Sequence, residues 1–269
     1  MAGRFDEKKL RRMFRRFYIS PRRIRWEKGE AIADLDKDTL HHIRTVLRLG
    51  EGAQIVLFDD SGKEYLAEII LSRPSKMRAK ILEVKEPKTE SELEIILAQA
   101  LVREQAFDRI LTSAVELGVK KIQPLLTRRV VVKINPKEID KKLYRWERII
   151  KEACGMSARV RVPRIEYPLP LEKFLAQELA SFKIILWEKA KGGELKRVEK
   201  NPEPILEKKS IVLLCGPEGG FEDEEAELAI EKGFLPWGLG PRVLKADTAP
   251  VCALSILQYL FGDLSLAVE

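Results

Sequence analysis

The sequence predicts an α/β protein in two parts, a small β-barrel followed by a domain built on a largely parallel sheet. Three observations carry this. From Arg16 to about Lys85 the apolar residues fall in short alternating runs separated by turns. Residues 85–92, "KEPKTESE", are polar and contain a proline, as stretches between domains do. Beyond them, continuous apolar runs of strand length alternate with helical patterns, as when parallel strands are joined by crossover helices. At 269 residues the chain is long enough to bury a sizeable core.

In order, "FYIS", "EAIADL", "AQIVLFDD", "EYLAEIIL" and "MRAKILEV" read as the barrel strands, with turn chemistry such as Ser61-Gly62 between them. "DKDTLHHIRTVLRLG" interrupts them as a helix with an acidic start and Gly50 at its end. After the linker, "LEIILAQAL" is a buried strand. "QAFDRILTSAVELG" is a helix with Ala106, Ile110 and Ala114 on one face and Gly118 closing it. "VKKIQPLL" follows, then a long helix from about Pro136 to Ala158 and another over "LEKFLAQELA". "FKIILW" and "SIVLLC" are apolar strands, and "DEEAELAIEKG" is helical. The last helix, "TAPVCALSILQYLFGD", has only Ser255 and Gln258 as polar residues between Val251 and Phe261. A helix apolar all round is expected to be buried all round, in a dimer interface, in the centre of the fold or in a plain core.

Charge is unevenly placed. The net charge is +7, yet residues 1–25 hold ten Lys plus Arg against two acids, a local +8, so the other 39 bases and 40 acids nearly cancel. Such a basic arm suits a polyanion, nucleic acid being the obvious one; a solvated tail is the alternative. Cys154, Cys215 and Cys252 lack CxxC spacing, which argues against a disulfide framework or zinc site and for a reducing cytosol. His41 and His42 are the only histidines, too few for a multi-histidine metal centre. No apolar run reaches membrane-spanning length, and the basic start lacks the apolar segment of a signal peptide.

Two stretches bear on chemistry. In "IVLLCGPEGGFEDEEAELAIEKG", residues 211–233, a strand breaks on a glycine-rich turn and restarts as a helix. That places backbone N–H groups at the C-terminal edge of a sheet, where α/β proteins bind ligands. The spacing is that of neither a dinucleotide fingerprint nor a P-loop. Glu218, Glu222, Asp223, Glu224 and Glu225 complement the helix dipole and would repel a phosphate, so a neutral or cationic ligand is expected. An adenosine-type cofactor carrying a sulfonium fits. In "WGLGPRVLKADTAP", residues 237–250, a second tight turn is followed by Arg242 and Lys245, with Asp247 or Thr248 to cap the final helix and Pro250 in its first turn. This is either a loop and a cap or a second wall of the same pocket.

Together, "GPEGGFEDEE" and "LGPRVLKADTAPVCALSILQYLFGD" resemble the closing signature of the RsmE-type 16S ribosomal RNA uridine-N3 methyltransferases of the SPOUT superfamily. "VLRLGEGAQIVLFDDSGKEYLAEI" is similar to their PUA-like barrel, "ELGVKKIQPLLTRRVVVK" to their first motif region and "RWERIIKEACGMSARVRVP" to their central helix. The resemblance spans Arg16 to Asp263. It implies a basic arm over residues 1–15, a PUA-like RNA-binding barrel over 16–86 and a SPOUT domain with a deep trefoil knot over 91–265. It also implies a homodimer through the knotted domain and S-adenosylmethionine as cofactor. The cofactor's first wall would be Leu186, Glu188, Gly216, Glu218, Gly219 and Gly220; Leu239, Gly240, Arg242, Val243 and Leu244 would form the second, with Ala249 at the helix start. 16S ribosomal RNA, free or in the assembled small subunit, would be gripped by Arg15, Arg16, Arg22, Arg23, Arg44, Arg48 and Lys245. Neither membrane nor metal is implied.

The chain departs from the family's pattern in places. Gly155-Met156 stands where Glu-Gln is usual, Ala158 where Gly is common, Ser113 where Lys is usual, and "VLKADTAP" replaces "ILRTETAP" with both charge signs kept. For methylation of uridine N3, a cation near O2 or O4 would stabilise the uridinate-like charge. The candidates are Arg159 and Arg242, then Lys245, with Glu218 or solvent taking the proton. The alternatives are a ribose 2′-hydroxyl methyltransferase, disfavoured by "ADTAPVCALS" in place of an Asn-rich run, and a non-catalytic RNA-binding protein, disfavoured by the intact glycine turns.

Overall fold

The computed structural model describes residues 15–132, 135–179, 182–190 and 203–265, so residues 1–14 of the expected basic arm lie outside the described residues. By packing, the chain divides into two units: residues up to Glu90 with Lys151–Val162, and Ser91–Ile150 with Pro163 onward.

The first unit holds six strands: β1 Arg16–Tyr18, β2 Ile24–Glu27, β3 Glu30–Asp34, β4 Gln54–Phe58, β5 Glu64–Arg73 and β6 Lys76–Lys85. Their order is β1-β4-β5-β6-β3-β2, antiparallel throughout except that β1 runs parallel to β4. β1 and β2 are consecutive in sequence yet lie at opposite ends of this order. The six steps from Tyr18 to Ile24 reach at most ~20 Å, whereas five flat strand spacings would need roughly 24 Å. The sheet therefore curls, and Ile55, Leu57, Ala67, Ile69, Met77 and Ala79 pack inside with Ile19 and Ile43.

Helix α1, Lys37–His41, is capped by Asp36, whose carboxylate accepts from the Thr39 amide at 2.8 Å. It continues as a π turn over His42–Val46 rather than as one regular helix; β-branched Thr45 and Val46 hold a helix weakly.

Lys151–Val162 is fastened to this unit by a partly buried carboxylate. Glu90 accepts from Arg159 Nη2 at 2.7 Å and Nε at 3.1 Å, and from the amides of Val160 and Arg161 at 3.1 Å each. Burial opposes the charge on Glu90, but these donors outweigh it and hold the carboxyl below its ordinary range. Arg16, expected to face RNA, is instead turned inward: its side chain pairs with Glu64 and lies over the Phe58 ring. Of the departures from the family pattern, Gly155 finds a physical reason and Ala158 carries a cost. A Cβ at Gly155 would stand 2.7 Å from the Arg16 carbonyl oxygen, so no larger residue fits. Ala158 ends the helix with φ +60, a left-handed conformation that costs an L-residue about 1 kcal/mol or more.

The second unit is a seven-stranded sheet in which every pair is parallel. Its strands are β7 Glu94–Ala100, β8 Lys121–Leu126, β9 Arg164–Ile165, β10 Leu169–Pro170, β11 Phe182–Leu186, β12 Ser210–Cys215 and β13 Leu235–Trp237. The order is β10-β8-β7-β12-β11-β13, with β9 also along β8. The helices among the described residues are α2 Glu104–Glu116, α3 Ile139–Met156 (from Lys151 on, part of the first unit), α4 Leu171–Leu175, α5 Glu203–Lys208, α6 Asp223–Glu231 and α7 Ala249–Phe261. α4 is shorter than the sequence pattern predicts, stopping at Leu175.

Within the single chain α7 is covered on one flank. It buries Ala253, Leu254, Leu257 and Gln258, but Val251, Cys252, Ser255 and Ile256 are only partly covered and Tyr259 is exposed. Gln258 is its anchor. Wholly buried, it accepts from the Ser91 hydroxyl and donates to the Leu117 carbonyl, both at 2.9 Å.

Two substitutions in the first unit should act in opposite directions. Gly155→Ala is expected to destabilise by about 1–3 kcal/mol through overpacking, and Ala158→Gly to stabilise by up to about 1 kcal/mol by relieving the left-handed strain. Shifts of the denaturant midpoint in opposite senses would show both.

Candidate active site

Because the sheet is parallel, every strand delivers its C-terminal end to one edge. β12, β11 and β13 are neighbours, so the segments leaving Leu186, Cys215 and Trp237 lie side by side. They surround a cavity of about 890 Å³, within the usual range of cofactor pockets. Leu186, Glu188, Gly216, Glu218, Gly219, Gly220, Leu239, Gly240, Val243, Leu244 and Ala249 all line it, together with Arg242 and Lys245. The two glycine turns singled out in the sequence are thus brought together. Arg159 is not among the lining residues; it is buried in the first unit on Glu90.

The lining also holds residues that the sequence reading did not single out for the pocket: Arg103, Gln105 and Arg109 at the start of α2, and Trp187, Trp237 and Asp247. The signal for the first three was available, since β7 lies beside β12 and its outgoing loop must reach the same edge.

The first turn is tightly constrained. Gly220 has φ +68, and a Cβ there would meet Glu188 Oε1 at 3.0 Å, so the site combines an unusual backbone angle with a close approach. Glu218 accepts from the Arg103 amide at 2.9 Å, tying the turn to the head of α2.

The acids of α6 do not make the cavity acidic, which corrects the electrostatic expectation. Glu222, Asp223, Glu224 and Glu225 are absent from its lining. Glu222 and Glu225 form a capping box, and Glu225, buried, accepts from the Arg128 amide at 2.9 Å. The Arg128 side chain binds Glu222 at 3.0 Å, Arg129 donates to the Gly219 carbonyl at 3.0 Å, and Lys189 holds Asp223 at 2.6 Å. The acid cluster is a brace for the turn. The lining itself carries Arg103, Arg109, Arg242 and Lys245 against Glu188, Glu218 and Asp247, a near balance.

In the second turn, Thr248 is the N-cap of α7 but makes no side-chain cap. Asp247 is engaged elsewhere, accepting from Arg109 at 2.6 and 3.0 Å. The hydrogen bond from Arg109 holds the Asp247 carboxyl below its ordinary range. Arg242 and Lys245 are exposed and form no ion pair among the described residues. Cys215, on the cavity wall, is buried and its thiol is pushed well up, so it stays protonated and is no nucleophile. Among the described residues no cluster of ligands could hold a metal, and no helix is long and apolar enough to cross a membrane.

Residues 89–258 match the family model of an RNA methyltransferase domain, and residues 35–82 that of an RNA methyltransferase PUA domain. The chain is 36% identical to the ribosomal RNA small subunit methyltransferase E of Synechocystis sp., over 91% of its own length and 77% of the relative's. The chain belongs to this family of RNA methyltransferases. Its fold is similar to that of a methyltransferase from Legionella pneumophila solved with bound SAM (TM-score 0.85, 34% identity, 93% of this chain and 99% of that one). It is also similar to the ribosomal RNA small subunit methyltransferase E of Neisseria gonorrhoeae bound to S-adenosyl methionine (TM-score 0.81, 30% identity, the same coverage). For a methyltransferase the near balance of lining charge is apt, since a cofactor of this kind presents both a carboxylate and cations.

Of the expected RNA contacts, Arg15, Arg22, Arg23, Arg44 and Arg48 are exposed on the first unit and Lys245 on the second; Arg16 is the exception already described.

The Arg109–Asp247 tie should be measurable. Arg109→Gln is expected to lower amide protection factors across residues 238–248 by roughly two- to fivefold, as for an exposed ion pair. Asp247 titrates below its ordinary value, so the tie is complete above the ordinary carboxylate range and is lost as pH falls through the lowered one. Wild-type protein should therefore lose the same protection in acid, and the variant should show little further loss.

Proposed function

We propose that this protein transfers a methyl group from S-adenosylmethionine to N3 of a uridine in 16S ribosomal RNA, on the free RNA or the assembled small subunit. The observation that carries the reading is the meeting of two glycine turns and the end of β11 around one cavity at the C-terminal edge of a parallel sheet. The relatives' names and bound cofactors point the same way.

The residues fit such a cofactor. Gly240, with φ +96, lines the cavity with nothing within 4 Å of where a Cβ would stand, leaving room that a side chain would fill. The phosphate-cradling Lys and Ser/Thr of a P-loop are missing from the turn, while Glu188 and Glu218 face the cavity as acceptors for hydroxyl and ammonium groups. Leu186, Gly216, Gly219, Leu239, Val243, Leu244 and Ala249 complete the walls. Bound there, S-adenosylmethionine supplies an electrophilic methyl group on a sulfonium.

The remaining work falls to the chain. Uridine N3 must lose its proton, and the base must be unstacked or already single-stranded to reach the cavity. Arg242, exposed on the rim and free of ion pairs among the described residues, is placed to hold the negative charge that builds on O2 or O4, with Lys245 beside it in sequence as a second cation or a phosphate contact. Glu218, exposed on the opposite wall, or solvent takes the proton. Arg159 serves as a positioning residue through Glu90 rather than meeting the base.

The same reading divides the chain into a basic arm (1–15), a PUA-like barrel (16–86) and a SPOUT domain (91–265) whose chain is knotted as a trefoil and pairs with a second copy through α7. The curl of the first sheet supports the barrel, and the half-covered apolar flank of α7 supports the dimer.

Small subunits lacking the modification, incubated with the protein and S-adenosylmethionine, should yield N3-methyluridine on nucleoside mass spectrometry. A ribose-methylated nucleoside would overturn the base assignment. Arg242→Ala is expected to lower turnover about a hundredfold, as loss of a charge-stabilising donor does, with cofactor affinity changed severalfold at most.

A further inference from the structure

Of the four tryptophans, Trp146 and Trp237 are buried and Trp187 is partly covered, but Trp26 is 78% exposed. It stands on β2, two residues beyond Ile24 on the same face. Ile24 is opposite Ala33 and packs on the core; Trp26 is opposite Ala31, and runs past the point where the core ends. A small cross-strand partner leaves the indole uncovered by its neighbour. The hairpin turn, Lys28 with φ 52 and Gly29 with φ 84, is the tight type that fixes strand register, so the ring sits on a firm support.

The charges around it are one-sided. Arg22, Arg23, Arg25 and Lys28 are exposed and form no ion pair among the described residues. The hairpin's acids are already engaged: Glu27 with Arg78, Asp34 with Arg78 at 3.2 Å, and Glu30 with Lys80 at 2.6 Å. An exposed aromatic ring close in sequence to exposed arginines does not match an apolar protein surface, which would have to bury those charges. It matches a single-stranded polyanion whose bases have a free π-face and whose phosphates meet the cations.

We propose that Trp26 is a stacking platform for an unpaired base of the RNA, with Arg22 and Arg23, in the turn just before the strand, holding the adjoining phosphates. The inference rests on the RNA-modifying function proposed above and adds the residue and the base-stacking chemistry of the first unit. Stacking on a π-face tolerates any base, so this contact supplies affinity and orientation, while the choice of uridine is left to the second unit.

The test uses the full chain with a single-stranded RNA decamer and a duplex of the same sequence, by titration at fixed salt. Trp26→Ala should weaken single-strand binding roughly 5- to 150-fold. Trp26→Phe should restore most of the affinity and Trp26→Leu should not. Thermal midpoint and S-adenosylmethionine affinity should stay as in wild type, because the ring packs against neither the core nor the cavity. Unchanged single-strand binding in Trp26→Ala would overturn the proposal. So would equal losses on single strand and duplex, since a duplex offers no free base face, or a loss seen only with assembled subunits, which would mark a protein contact. The two readings fail separately. Wild type that forms no N3-methyluridine, with single-strand binding that still depends on Trp26, removes the reaction and leaves the platform; full methylation by Trp26→Ala with wild-type RNA affinity does the reverse.

Discussion

The parallel pairing of every strand in the second unit is the constraint on which the site depends. A parallel pair cannot be closed by a hairpin, so each strand must return through a crossover and release its chain at the same edge. With β12, β11 and β13 adjacent, three outgoing segments distant in sequence become neighbours without any designed contact between them. β7, beside β12, adds the head of α2 and with it Arg103 and Arg109. The glycine turns then need only be short and open. The cavity is a consequence of topology, and its residues are those that happen to follow the strand ends.

What topology leaves loose, charge makes firm. The first turn has its Gly219 carbonyl held by Arg129, its Glu218 by the Arg103 amide, and the helix behind it by a capping box that also engages Arg128. The second turn is held by Asp247 on Arg109. Exposed pairs of this kind contribute little to global stability, but each fixes a segment against its neighbour, and a preorganised wall lowers the cost of ordering a ligand. Arg109 and Asp247, engaged with each other, cannot also serve as free charges in the cavity. That leaves Arg103, engaged only through its backbone, with Arg242 and Lys245, none of them in an ion pair among the described residues, as the cations open to a substrate.

How much of this was legible in the sequence follows from which signals are local. Strand and helix types came from periodicity, which is written in each segment; the glycine turns at strand ends pointed to a ligand edge, and the individual pocket residues came from the resemblance to the family. Lengths were less legible: α4 stops after Leu175, and the helix after Asp36 widens into a π turn where β-branched Thr45 and Val46 hold it weakly. α7 shows the limit of composition. Its near absence of polar residues predicts burial all round, yet burial depends on what is present to cover each side, and Tyr259 is open in the single chain. Acids at a helix start look alike in sequence whether they face a ligand or an arginine two strands away; Glu222 and Glu225 face Arg128, from a segment some ninety residues earlier.

Arginine is the residue whose role sequence hides most. In the N-terminal run, Arg16 lies one position from exposed Arg15, yet it points inward onto Glu64 and Phe58, while Arg22, Arg23 and Arg25 point out. Arg16 is on the face of β1 opposite to Phe17 and the core, and is covered there by the segment that carries Gly155 and Arg159. Arg159 is turned in by a different cause: Glu90 needs a donor set, and the left-handed residue Ala158 delivers the amides of Val160 and Arg161 together with the Arg159 guanidinium to one carboxylate. A buried guanidinium is destabilising if its carboxylate is removed, so Arg159, buried on Glu90, is committed to the fold before any substrate arrives. The positive charge that remains available is therefore smaller than the composition implies and more sharply placed, at the hairpin of β2 and β3 on one unit and at Arg103, Arg242 and Lys245 on the other. Charge that the fold has not already used is the charge an RNA can meet, and Trp26 stands in the middle of the first of these groups.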